Sequence, residues 1–460
     1  MRSIQLFAVA GLLSLGVARA NAQALVYSPA ESNTPPDATN TQVTELLSAP
    51  PSSSAPEPAL PEAGPADTTS SNVSNELPPA GHQPAEISAN ARRFHFGLTL
   101  DAAIAYNDNI DLTQTDKVSG TFATLQATIT LGVGDIESHE GNYLRLDYTP
   151  TAFFYLDHSD FDTVNHIFRL EGYHRFRRLA VTIAQDIEST DNNTVPSLTG
   201  SGGFTRGANI DVATRQRVTL FNTRANASYD LTGKTSVTVG ALFSATDYTE
   251  NLINSQIISG TLGLDYHYSD KLTFGLDGTV GEDLVDDPSP DQTFEQVRLH
   301  SRYDLTGKIT ASGSAGVEFR QFEHGDGDNV TPVFDVGLTY APFDGTTINI
   351  SASRQTISSA TLANQDYSST QLVMAFRQRL FRRFTAELSG GYQNLSYFST
   401  INGDSTARED NYYFVQPAVD VRITNFWFAG AYYLHRENDS SFDALGFEEN
   451  QFGVHTGFKF

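Results

Sequence analysis

Cysteine is absent from all 460 residues. That excludes disulfide staples, thiol catalysis, iron–sulfur and cysteine–zinc sites, and lipid attachment at an N-terminal cysteine. Positive charge is scarce as well, with 29 Lys and Arg against 54 Asp and Glu and a net charge of −25. Nucleic-acid phosphates would be repelled, so no nucleic-acid partner is expected. Long apolar runs are missing too. Beyond the first residues no window approaches the ~18 to 20 apolar positions that a spanning helix needs, and apolar spacing of helical period is not found. The 11 histidines show no metal-ligand spacing, no G-x-S-x-G elbow occurs, and no glycine-rich phosphate loop opens a helix. The chain reads as no enzyme, without a cofactor or a metal.

What is present falls into three stretches. Residues 1–22 read as a secretory signal peptide: Arg2 is followed by a mostly apolar run from Ile4 to Val17, then by Ala18, Ala20 and Ala22 in small-x-small spacing, with cleavage expected after Ala22. Residues 23–91 hold most of the 19 prolines, with much Ser, Ala and Thr, acidic residues and no Lys or Arg. Such a composition cannot bury enough apolar surface to offset chain entropy, so a disordered acidic tail is expected. From 92 to 460 the pattern changes to period-2 alternation. Phe94, Phe96, Leu98, Leu100, Ala102, Ile104 and Tyr106 share one face, opposite His95, Gly97, Thr99 and Asp101. Leu125, Ala127, Ile129, Leu131 and Val133 alternate in the same way with Thr124, Gln126, Thr128 and Thr130. These are strands with one apolar and one wet face.

Alternation alone would suit a soluble sandwich equally well, so turn spacing decides. Short connections are expected at 135–141, 176–178, 231–234, 269–271, 305–308, 343–345, 381–383 and 424–425, and YDLTGK occurs twice, at 229–234 and 303–308. Longer polar loops lie between them at 107–119, 157–165, 188–213, 246–256, 282–295, 321–330, 355–369, 395–412 and 436–450. Eight short turns and nine long loops make nine hairpins, hence an all-β, antiparallel up-and-down barrel of about 18 strands, or 16 if one loop is misread, each strand about ten residues long. Short turns on one edge and long loops on the other are what a transmembrane barrel requires, because lipid tolerates no unpaired backbone edge. At the C-terminus Phe452, Val454, Thr456, Phe458 and Phe460 share a face. A last strand ending in Phe resembles the signal read by the outer-membrane assembly machinery, which puts the chain in the outer membrane of a Gram-negative bacterium with both termini periplasmic and outer-membrane lipid around it.

Several runs carry a further resemblance: AYNDNIDLT, YLRLDYTPTAFFYLDHSDFDTVNH, GSAGVEFRQFEHGDGDNVTPVFDVGLTYAPFDGTTI and RQRLFRRF. Over about residues 94–460 the chain resembles the beta-barrel porin-2 family of outer-membrane barrels. The resemblance implies a transport role, with some members associated with envelope or exopolysaccharide functions, and it brings no catalytic motif.

If one strand face meets lipid, the other lines the lumen. That phase puts Arg145 with Asp147, Arg169 with Glu171, Glu318 with Arg320 and Asp420 with Arg422 as neighbours on lumenal faces, either tuning ion selectivity or bracing the wall. Arg298, His300 and Arg302 share one strand face and, with Arg377 and Arg379, are the anion-contact candidates, because guanidinium forks match carboxylate and phosphate groups. The long loops hold 29 acids against four basic residues by the boundaries above, an acidic mouth that favours cations. The sequence therefore points to a porin-like channel for small hydrophilic solutes or an exported saccharide. The alternative is an occluded structural or binding barrel, and whether the 188–213 loop folds inward is open at this stage.

Overall fold

The computed structural model describes residues 94–136, 141–191, 210–212, 214–249, 252–323, 328–401 and 408–460. The expected signal peptide (1–22) and acidic tail (23–91) lie outside the described residues, as does most of the 188–213 loop.

Among the described residues eighteen strands follow one another with only two single-turn helices, Ser159–Phe161 and Asp443–Leu445, between them. The first nine are β1 (His95–Asn107), β2 (Gly120–Gly134), β3 (Tyr143–Tyr155), β4 (Thr163–Arg175), β5 (Leu179–Asp191), β6 (Arg217–Asp230), β7 (Thr235–Tyr248), β8 (Ser255–Ser269) and β9 (Leu272–Val285). The rest are β10 (Gln292–Thr306), β11 (Ile309–Phe322), β12 (Asp328–Tyr340), β13 (Thr346–Ser358), β14 (Gln365–Leu380), β15 (Phe384–Ser399), β16 (Glu409–Arg422), β17 (Trp427–Ser440) and β18 (Phe447–Lys459). Each pairs antiparallel with its sequence neighbours, and β1 also pairs with β18 from Thr99↔Lys459 to Asn107↔Gln451. The ring is closed. Leu98 and Phe460 seal its seam by exchanging backbone hydrogen bonds of 3.2 and 2.8 Å.

The expected turns and loops fall between these strands, so the count of 18 holds. Strand length does not, since the strands run to 13–16 residues rather than about ten. The extra residues lie on the long-loop side, where polar segments such as Glu282–Asp283 and Asp366–Ser369 continue the backbone ladder. Polar side chains there mimic loop composition, but nothing in them prevents the ladder from continuing.

Alternation now has a direction. Leu262, Leu264, Leu276, Val280, Val297 and Leu299 are exposed on the outside, while their neighbours Thr261, Asp265, Asp277, Arg298 and His300 point inward, where Thr261 meets Thr279 and His300 meets Asp265 and Asp277 across strands. A soluble barrel buries its apolar face and wets the other; this one does the reverse, so its solvent is hydrocarbon. Outward aromatics collect at both edges of the aliphatic band, Tyr229, Tyr266, Tyr303 and Tyr340 toward the short turns and Tyr106, Phe154, Tyr413 and Phe452 toward the long loops. Such belts are where amphipathic rings meet both hydrocarbon and headgroups.

Candidate functional site

The lumen divides into a polar half toward the short turns and a packed half toward the long loops. In the polar half, charged side chains pair along the wall. Arg145 donates to Asp147 at 2.7 Å, as the sequence pairing predicts; the Arg320–Glu318 pair forms too, at 3.0 Å, but in the packed half. The other two expected pairs re-form across strands. Arg169 reaches Asp186 and Glu188 on β5 at 3.5 and 3.3 Å, and Asp420 meets His455 on β18 at 3.1 Å while the Arg422 guanidinium reaches the Arg382 carbonyl at 3.4 Å. Neighbours two apart on one strand compete with partners across the ladder: Asp186 stands directly opposite Arg169 on β5, and His455 is reached from Asp420 across Gly430 of β17.

The anion-contact candidates are placed as follows. Arg298, His300 and Arg302 all face inward from β10, but His300 is held between Asp265 (2.8 Å) and Asp277 (2.6 Å), and Arg302 lies 3.4 Å from Asp304. The Arg298 Nε meets no acceptor among the described residues. Arg377 and Arg379 face inward from β14, four strands away, with Arg377 in register with Glu387. The structure thus brings three of the five together on β10 and leaves the other two on a separate stretch of wall. Phe452 and Phe458 point outward on β18, where Phe458 stacks with Trp427 and with terminal Phe460.

Toward the long loops the lumen changes character. Segments of the connections fold inward and bury apolar side chains against inward-facing wall residues: Leu112, Ile210, Leu362 and Leu445 pack with Tyr367, Leu395, Tyr397, Tyr412, Phe414 and Leu434. Val212, Ile253 and Ala360 pack with Val218, Tyr248 and Val285, and Ile110 with Phe122, Phe153 and Tyr155. A Leu, Ile or Val buried in this way contributes ~1.5–3 kcal/mol, so these segments are docked rather than draped over the mouth.

Asp211 fixes the longest crossing. It belongs to the β5–β6 connection, whose root is tied to the near wall by Arg215, paired with Asp191 at 2.8 Å and lying over the Phe161 and Tyr155 rings at 4.8 and 5.3 Å. Its carboxylate accepts from Arg408 Nη1 (2.9 Å), Tyr397 Oη (2.6 Å), Thr361 Oγ1 (2.9 Å) and Ser359 Oγ (3.2 Å). Tyr397 stands on β15, nine places from β6 in a ring of 18 strands, so the segment reaches the opposite wall. Arg408 also pairs with Asp410 at 2.8 Å, donates to the Ile210 carbonyl at 3.0 Å and lies over the Tyr397 ring at 4.7 Å. Burial raises the Asp211 carboxyl to about 7, against the pull of Arg408 and the hydroxyls of Tyr397 and Thr361.

A second buried hub joins the strand extensions. Arg320 touches Glu318, Asp283 (3.4 Å), Gln292 (2.7 Å) and Asp366 (3.6 Å), while Ser358 Oγ donates to Asp283 at 2.8 Å. Five strands, β9, β10, β11, β13 and β14, meet in it. Sequence reasoning found only the Glu318–Arg320 pair, because Asp283 and Asp366 read as loop. It missed the Asp211 hub entirely, although one signal was there. Of four basic residues in the acidic loops, Arg408 and Arg436 are fully buried on carboxylates, Arg436 on Glu449.

No family model matches the chain. No curated protein matches it either. Among solved structures it is similar to OccAB4 of Acinetobacter baumannii, with 8% identity over 81% of this chain and 99% of that one and a TM-score of 0.42. It is likewise similar to the outer membrane protein opdK of Pseudomonas aeruginosa (11%, 80% and 99%, TM-score 0.40) and to a BenF-like porin from Pseudomonas fluorescens Pf-5 (12%, 80% and 100%, TM-score 0.41). The fold rests on the chain's own strand pairing, and the resemblance to the beta-barrel porin-2 family rests on the sequence runs alone.

Proposed function

We propose that this chain is a porin-like channel of the Gram-negative outer membrane, kin to the beta-barrel porin-2 family, that passes small hydrophilic solutes or an exported saccharide without an energy source. One observation carries the reading: a closed 18-strand cylinder, apolar outside, is lined inside by Thr, Ser, Asp, His and Arg side chains. A cylinder of 16–18 strands is wide enough for water, and a lining of paired charges orients polar solutes while costing them little desolvation. Arg298 on β10 and Arg377 with Arg379 on β14 are the proposed contacts for an anionic group on the solute. Outward Phe452 and Phe458 support the reading of β18 as the assembly signal.

The packed loop end favours a second reading, an occluded barrel that binds or braces rather than conducts. Single-channel recording of the refolded full chain in a planar bilayer separates the two. Discrete conductance steps are expected; an inserted, heat-modifiable barrel that passes no current at any voltage would replace the channel with the occluded barrel.

A further inference from the structure

Five of the short turns repeat one arrangement. The residue closing the turn is Arg178, Lys234, Lys271, Lys308 or Arg383, and its carbonyl accepts the amide of the next hairpin, from Asp230, His267, Asp304, Ala341 and Arg422 respectively, each at 2.8 Å. All five basic residues are exposed. Short turns follow every second strand, so along this arc neighbouring turns stand about 10 Å apart. Beside them sit exposed apolar side chains at the tips themselves: Phe176, Leu231, Tyr268, Leu305 and Phe381, the last 89% accessible.

The acids of this rim are largely spoken for. Arg175 holds Asp230 at 2.7 Å and Arg302 lies 3.4 Å from Asp304, from inside the lumen, which leaves Asp270 as the exposed carboxylate of these five turns among the described residues; Asp344 stands in the β12–β13 turn, and Asp135, Glu137 and Glu140 belong to the β2–β3 turn outside this arc. The Lys271 and Lys308 ammonium groups reach only neutral carbonyls, of Leu305 at 3.5 Å and Pro342 at 2.8 Å. These five turns therefore form a positively charged arc of the rim on a strongly acidic chain, set directly beneath an outward belt of Tyr229, Tyr266, Tyr303 and Tyr340.

We propose that this rim is a recognition surface for anionic phospholipid headgroups, with Arg178, Lys234, Lys271, Lys308 and Arg383 meeting lipid phosphates and the adjoining tip side chains entering the acyl boundary. The inference rests on the membrane-spanning reading and goes beyond it by naming the lipid and the end of the barrel that takes it. Long basic side chains keep their stems on apolar surface and extend the charge to the headgroup level, where an anionic leaflet adds attraction for each of them. A competing occupant is the chain's own acidic stretch at 23–91. It matches the charge but not the exposed Phe and Leu tips, which continue the lipid-facing belt.

The test uses the full chain in phosphatidylcholine vesicles with and without phosphatidylglycerol, reading association of spin-labelled forms of both lipids at rising salt. Phosphatidylglycerol is expected to associate severalfold more than phosphatidylcholine, the preference shrinking with salt and lost when Lys234→Gln, Lys271→Gln and Lys308→Gln are combined. Those side chains are exposed and carry no ion pair among the described residues, so the triple variant inserts normally. Equal association of the two lipids, a preference that survives the triple variant, or carbodiimide cross-links joining the rim lysines to carboxylates of 23–91 in place of a lipid preference would each overturn the proposal. Insertion without lipid preference sinks this inference alone, whereas failure to insert in any vesicle sinks the membrane channel with it.

Discussion

At the scale of single residues, glycine and aspartate carry the most specific demands. Two rows of three strands repeat the same construction: Asp265, Gly275 and His300 on β8, β9 and β10, and Asp420, Gly430 and His455 on β16, β17 and β18, each in register. In both, the imidazole Nε2 meets the aspartate across the glycine, at 2.8 and 3.1 Å, and Nδ1 meets a second aspartate, Asp277 at 2.6 Å or Asp101 at 3.2 Å. The contact exists because the middle residue has no Cβ; one added to Gly430 would run into His455 Nε2 and Asp420 Oδ1. Gly430→Ala is expected to lower stability by about 1–3 kcal/mol, the cost of leaving buried polar groups unpaired, as a shift in the urea refolding midpoint. Gly278→Ala, where an added methyl meets nothing within 4 Å, is the matched control and leaves the midpoint in place. Asp211 makes the complementary case for charge. Its carboxyl, raised by burial to about 7, faces Arg408, Asp410 and Tyr397. Because the docked site binds a proton that a released segment would lose above the ordinary carboxylate range, docking is strongest at low pH and weakens as pH rises through about 7. Conductance is expected to rise over that interval. Asp211→Asn, which still accepts from Tyr397 and Thr361 while Arg408 keeps Asp410, holds the low-conductance form at all pH; Asp211→Ala, which strands four donors, opens it.

At the scale of elements, the short turns were legible because Gly, Asp and Lys at fixed places close them whatever the rest of the chain does, as the two YDLTGK copies show at 229–234 and 303–308. The strands' outward faces were legible for the same local reason, since lipid demands an apolar residue at every second position. Their far ends were not. Glu282, Asp283, Asp366 and Ser368 lie where the wall rises past the lipid, so their ladder is not announced by alternating apolar residues. The inward segments were illegible for a further reason: Asp211 meets partners 148 to 197 positions away, and no local pattern encodes such a pairing. This division predicts how the molecule opens. The loop-end extension of β15, with Leu395 and Tyr397 buried under the 359–364 and 210–212 segments, is expected to resist amide hydrogen exchange as strongly as mid-barrel. In Asp211→Ala that protection falls at 395–399 while the turn-end half of the same strand is unchanged. Exchange that rises evenly along β15 would show instead that the inward segments contribute nothing to the wall they touch.

For the whole molecule, the distribution of charge matters more than its sum. The net charge of −25 conceals two unlike ends. Exposed basic residues gather at the short turns, whereas the loop end is acidic and two of its cations are buried on carboxylates, Arg408 on Asp211 and Asp410, and Arg436 on Glu449, while Lys117 lies 3.7 Å from Glu448. A buried cation paired with acids projects little field, so a solute approaching the loops meets exposed carboxylates such as Asp287, Asp439 and Asp443. Low-dielectric walls focus such a field into the mouth and raise the local concentration of cations. In a salt gradient the open channel is therefore expected to show a reversal potential of cation-selective sign. Screening sets the range over which this holds: the Debye length is about 10 Å at 0.1 M salt and about 3 Å at 1 M, so selectivity should fade at the higher concentration if the mouth produces it. Combining Asp287→Asn, Asp439→Asn and Asp443→Asn, all exposed positions away from the inward hubs, should lower cation preference while leaving unit conductance near its original value. An anion preference that persists at low salt would move the selecting element from the loops to Arg298, Arg377 and Arg379 inside the lumen.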